Sequence, residues 1–158
     1  MTMMRPLTKA RRLSLAGVSK RSVRTQFAAL CFREKKGELQ VCLVTSRTSK
    51  RWILPKGWPI HGHTPARAAA IEAYEEAGLR GRTYETCLGV YETRKRHDQR
   101  RLFLAMVYPL KVKKELNNWP EKHERRRKWF TPEKAADKVD EPGLADMLRG
   151  FDPASLPR

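Results

Sequence analysis

Three carboxylates, Glu72, Glu75 and Glu76, fall three and four positions apart within the segment PARAAAIEAYEEA. On an α-helix those intervals stack side chains one turn above another, so the acids share a face, and the small Ala68 one turn ahead leaves space beside them. Like charges at this spacing destabilise an isolated helix by roughly 0.2–0.5 kcal/mol per pair, so the arrangement calls for a positive counterpart. A hard divalent cation supplies one. Mg²⁺ takes oxygen ligands, keeps several waters and is commonly held by a few carboxylates together with substrate phosphates, and Mn²⁺ suits the same donors. The competing reading is an ordinary solvated acidic face.

The elements that must position these acids are legible around them. Thr64 followed by Pro65 is a helix start, with Thr as cap and Pro at the first helical position, and Gly78 supplies the stop. Ala66, Ala70, Ala73 and Ala77 recur at helical intervals as a stripe of small side chains that can lie close against a sheet. Upstream, FAALCF and LQVCLV are short apolar runs rich in strand-formers, joined by the polar REKKGE, and predict two paired strands. In RTSKRWILPKGW, Pro55 and Gly57 are expected to break any regular element. Downstream, RTYETCLGVYETR, RRLFLAMVYPLKV and RRRKWF read as strands, and TPEKAADKV and PGLADMLRGF as short helices. The order of elements predicts an α/β (α+β) domain, a mixed sheet with helices packed on it.

The stretch GWPIHGHTPARAAAIEAYEEAGL, Gly57 to Leu79, resembles a Nudix box. That pattern runs G, five residues, E, seven residues, REUxEExGU, with U a bulky aliphatic. Gly57, Glu72, Glu75, Glu76, Gly78 and Leu79 match it in place. The resemblance implies an α/β/α sandwich, metal binding by Glu72, Glu75 and Glu76, and hydrolysis of a phosphoanhydride with one carboxylate orienting or deprotonating the attacking water. Three positions depart: His63 stands for the first Glu of the pattern, Ile71 for its Arg, and Ala73 for a bulkier aliphatic. In the family that Glu and Arg are often a supporting pair, so losing both together avoids leaving one buried charge unpaired.

Flanking segments resemble the diphosphoinositol polyphosphate phosphohydrolases and diadenosine polyphosphate hydrolases: WILPKGW, GVYETRKRHDQRRLFLAMVYPL and WPEKHERRRKWFTPEKA. This likeness implies phosphate contacts from Lys56, beside Gly57, and from Arg94, Lys95, Arg96 and His97. The residues agree in kind, because Arg94, Lys95, Arg96, Arg100 and Arg101 face one acid, Asp98, and Arg can grip a phosphate through two parallel hydrogen bonds. A solvated hairpin connection is the other reading of that cluster. In RRRK, alternation along a strand would send neighbours to opposite faces, so about half could serve one site. Trp58 is a candidate for packing on a ligand ring, and Glu121 or Glu124 for a base outside the helix. Two other functions share the fold: a pyrophosphohydrolase of RNA 5′ ends, and a sensor or nucleic-acid-binding module without catalysis.

The charge balance points to polyanions: 34 Lys and Arg against 17 acids give a formal +17. Residues 1–24 are basic and contain no acid. They are expected to form a flexible arm, either solvated or in contact with RNA phosphates, ahead of a catalytic domain at 25–152 and a tail at 153–158. Such an arm also resembles an organellar transit peptide. No apolar run is long enough to span a bilayer, so no membrane partner is expected. Cys31, Cys42 and Cys87 lack metal or redox spacing and read as core thiols in a reducing compartment, which makes the cytoplasm the expected location.

Overall fold

The computed structural model describes residues 23–93 and 102–158. Two central strands, β1 (Val23–Lys35) and β2 (Glu38–Thr45), pair antiparallel from Phe32↔Val41 to Lys35↔Glu38. Their apolar runs are continuous because both sheet faces are covered. Ala28, Leu30, Phe32, Val41 and Leu43 enter one buried cluster, while Ala29, Cys31, Cys42 and Val44 enter the other. β7 (Leu102–Glu115) runs parallel to β1 from Val23↔Leu102 to Phe32↔Lys111, which makes the sheet mixed. Along the main path the order is β3 (Trp52–Ile53), β2, β1, β7 and β5 (Leu79–Thr83).

Helix α1 (Pro65–Ala77) covers one face. Its contact surface is Ala66, Ala69, Ala73 and Ala77, packed with Cys31, Cys42, Val44, Leu79 and Leu110, and Ala70 lies at the margin. Small side chains let the helix axis approach the sheet. On the opposite face α2 (Pro132–Lys138) and α3 (Pro142–Arg149) contribute Ala135, Ala136, Leu144, Ala145 and Leu148. This is the α/β/α sandwich expected. A short 3₁₀ turn, Pro153–Ser155, follows, and Arg82 Nη2 donates to Pro157 O at 3.5 Å, so residues just before the C-terminus touch the domain.

Three sequence expectations are corrected. The Pro55–Gly57 region does hold regular structure: β3 (Trp52–Ile53) pairs with β2, and β4 (Lys56–Gly57) pairs with β1 through Phe27↔Gly57 and Ala28↔Lys56. Pro55 sits between the two ladders and belongs to neither, so its missing N–H costs no ladder bond. The segment RTYETCLGVYETR is not one strand: its first two residues end β5 (Leu79–Thr83) and Gly89–Thr93 form β6, each antiparallel to β7 at different heights. Cys31 and Cys42 are buried thiols, as read, whereas Cys87 is exposed.

Candidate functional site

The helix that carries the acids is bounded as its sequence predicts. Thr64 is the N-cap and its Oγ1 accepts from Arg67 N at 3.3 Å, Pro65 follows, and Gly78 closes the helix at φ 64°, ψ 34°. The conformation at Gly78 is left-handed, and an added Cβ would come within 2.7 Å of the Trp119 ring, so glycine is required twice over.

Glu72, Glu75 and Glu76 project along one side of α1 into different surroundings. Glu75 is exposed, Glu72 half-buried and Glu76 buried at 5% exposure. Glu72 lies over Gly57, where a Cβ would collide with its carboxyl group. Burial pushes the Glu72 carboxyl up to about 7, helped by the nearby charges of Glu75 and Glu121 and opposed by Arg125. Burial also pushes Glu76 up to about 7, opposed by Arg125 and by the Lys56 N–H. Both oxygens of Glu76 are held: Oε2 accepts from Lys56 N at 3.0 Å and Oε1 from Arg125 Nη2 at 3.1 Å. Among the described residues, neither the Glu72 nor the Glu75 carboxylate has a hydrogen-bonded or ion-paired partner.

The segment that carries Glu121 and the start of RRRK completes the site. Residues 116–127 lace the C-terminal end of α1, whose last carbonyls have no partner within the helix. Glu121 N donates to Glu75 O, Trp119 Nε1 to Glu76 O, Arg127 Nη1 to Ala77 O, and Leu116 N to Gly78 O, at 2.8–3.1 Å. The Arg127 guanidinium lies 4.1 Å from the Trp119 ring centroid. This lacing carries Glu121 to the acidic face. It also places Arg125 ahead of β8 (Arg127–Phe130) rather than in it, so the alternation expected for RRRK does not begin until Arg127.

Of the other sequence candidates, Lys56 and Gly57 form β4 beneath the helix acids, and Trp58 is 44% exposed with its ring 6.1 Å from that of Phe103. His63 is exposed and Ile71 half-buried. Arg94, Lys95, Arg96 and His97 lie outside the described residues, as does most of the basic arm. Sequence reasoning gave Arg125 no role of its own. Its position two residues ahead of a short strand offered no signal, since partners that span 49 and 80 residues decide its place.

A divalent cation is testable against this donor set. Glu72, Glu75, Glu76 and Glu121 offer hard oxygen donors, and the first two carboxylates have no partner among the described residues. Yet among the described residues no three Asp, Glu, His or Cys side chains stand ready as a closed metal cage. An open set of one or two free carboxylates is the arrangement that suits Mg²⁺, which completes its shell with water and substrate phosphate. The donors therefore fit.

An α/β/α sandwich with a carboxylate helix and an adjoining glycine strand defines the class of protein. The NUDIX domain family matches residues 23–151, and the chain belongs to that family. It is 39% identical over 119 residues to Nudix hydrolase 16, mitochondrial, of Arabidopsis thaliana, an alignment covering 72% of this chain and 66% of that protein. To human diphosphoinositol polyphosphate phosphohydrolase 3-beta it is 36% identical over 110 residues, covering 68% and 64%. The chain thus spans somewhat less than two thirds of the length of these curated relatives. Its fold is shared with a Caenorhabditis elegans Ap4A hydrolase in a binary complex (TM-score 0.63, 20% identity, 80% and 93% covered). It is shared equally with a MutT protein of Methanosarcina mazei Go1 (0.61, 21%, 84% and 94%).

Proposed function

We propose that this chain is a metal-dependent hydrolase that cleaves a phosphoanhydride bond in a polyphosphorylated small molecule, of the diadenosine polyphosphate or inositol pyrophosphate kind. The observation that carries the reading is a pair of carboxylates, Glu72 and Glu75, unpartnered among the described residues, beside a backbone strand where only glycine fits at residue 57. The family relationship and the phosphohydrolase names among its relatives support it.

When bound, Mg²⁺ (or Mn²⁺) would neutralise charge on the phosphates and acidify a water. Glu72 and Glu75 are the acids free to hold it, with Glu76 contributing from a fixed position. Glu72 or Glu121 orients the water and takes its proton; both are partly buried beside the acidic face. Lys56 and the Arg94–His97 segment are assigned to the substrate's remaining phosphates, since several fixed cations are needed to hold several phosphates. Trp58 is assigned to a ring or apolar edge of the ligand.

Phosphate release by the purified protein with Mg²⁺ tests the reading. The panel is diadenosine polyphosphates, inositol pyrophosphates, nucleoside triphosphates and 5′-triphosphate RNA, with Glu75→Gln as control. Turnover of a small polyphosphate that is lost in the control is expected. Turnover of the RNA alone would move the assignment to RNA ends and the basic arm, and tight binding without turnover would make the domain a sensor. The cytoplasm is the proposed compartment, on the strength of buried, unpaired Cys31 and Cys42. Cell fractionation tests the cytoplasm against the mitochondrion, the location named for the Arabidopsis relative.

A further inference from the structure

The Arg125 guanidinium is committed at all three nitrogens. Nη2 meets Glu76 Oε1 at 3.1 Å and Glu121 Oε1 at 3.2 Å, Nε donates to Glu121 Oε1 at 3.2 Å, and Nη1 donates to Thr45 O at 3.2 Å. Its side chain is 7% exposed. The backbone around it is pinned as well, through Arg126 N to Thr45 Oγ1 at 2.9 Å and Thr45 N to Arg126 O at 3.1 Å. One cation therefore ties the carboxylate helix, the loop acid and the end of β2 into a single rigid unit. At Ile71, on the helix itself, there is no basic side chain to do so.

We propose that Arg125 is a positioning residue of the metal site: by holding Glu76 and Glu121 through one guanidinium, it fixes two carboxylates and leaves Glu72 and Glu75 to take the ion. The inference rests on the metal-dependent reading above. Its physical basis is that the donors surrounding metal ligands set their orientation, and disturbing such donors typically lowers affinity or activity about 10- to 100-fold. Lysine cannot replace this arrangement, because an ammonium is a point charge without the planar fork that reaches three acceptors in different directions.

The test compares Arg125→Lys with the unsubstituted protein by Mn²⁺ binding, followed by electron paramagnetic resonance at a temperature well below both melting points, and by steady-state kinetics. The expected result is Mn²⁺ affinity lowered by about 10-fold or more, with kcat falling further than KM rises. A lowered melting temperature with unchanged Mn²⁺ affinity and kcat would make Arg125 a structural brace and overturn the inference. Should Arg125→Lys fail to fold, Thr45→Val removes the hydroxyl anchoring the Arg126 N–H and leaves the guanidinium present. Mn²⁺ binding weakened about threefold or more then supports the inference, and binding at the unsubstituted level overturns it. Absence of Mn²⁺ binding by the unsubstituted protein would instead overturn the metal-site reading itself, and this inference with it.

Discussion

Gly57 and Glu72 constrain one another: the carboxyl group occupies the volume that any Cβ at residue 57 would need. Gly57→Ala should therefore displace Glu72, costing about 1–3 kcal/mol of stability by overpacking. Because misplacing a reacting group by about 1 Å can cost about 100-fold in rate, activity should fall by that order while the fold survives; circular-dichroism melting and phosphate release together check this. Glu75 is exposed, so Glu75→Gln should leave the melting temperature within about 1 °C, as surface substitutions usually do, and remove turnover. Titration follows from burial. Glu72 and Glu76 are both raised to about 7 in the metal-free protein, against 4.5 as the ordinary value. Between those values the folded state binds more protons than the unfolded chain, so stability of the metal-free protein falls as pH rises from about 4.5 to about 7 and then levels. A cation favours the ionised acids. The stabilisation by Mg²⁺ should accordingly be small at pH 5.5 and larger at pH 8, read as the difference in melting temperature with and without the ion. Mg²⁺ stabilisation that is equal at the two pH values would sink that account.

Helix α1 works as an element because its two sides have opposite demands. The sheet side is lined by small residues, and Ala73 is fully buried in the cluster that holds Cys31 and Cys42. Ala73→Leu should lift the helix and cost about 1–3 kcal/mol, with loss of activity out of proportion to the stability change, since the acids move with the helix axis. The C-terminal end depends on residues 116–127 for its carbonyl partners. Trp119→Ala removes both the indole donor to Glu76 O and the ring covering Gly78. As Trp119 is half-buried, the cost should lie near or below the ~3–5 kcal/mol seen for large aromatic truncations in cores. The loop carrying Glu121 should also become labile, which faster amide exchange at residues 116–126 would report.

At the scale of the molecule, a formal charge of +17 sets the long-range field in which an anionic substrate arrives. Charge interactions beyond about 10 Å are largely screened at 0.1 M salt, so the field should act mainly on substrate capture. KM for a polyphosphate substrate should rise as salt is increased from about 50 mM to about 300 mM, with kcat little changed. A salt-independent KM would show that the surface charge serves something other than substrate capture. No helix among the described residues is long and apolar enough to cross a membrane.

The sequence alone determined the helix, its caps, the common face of Glu72, Glu75 and Glu76, and the paired strands β1 and β2. Each of these follows from local periodicity or from residue types with narrow conformational preferences, such as Thr64, Pro65 and Gly78. The short strands β3 and β4 were not legible, because a two-residue ladder carries no periodicity and is made by its neighbours. The same holds for the inequality among the acids. Sequence presents three equal glutamates, whereas Glu76 is bound by Arg125 and Lys56, Glu72 is confined over Gly57, and Glu75 faces solvent. Those differences arise from contacts between residues 20 and 49 positions apart. Only tertiary packing brings such partners together, and the burial that accompanies it makes their charges interact strongly enough to matter.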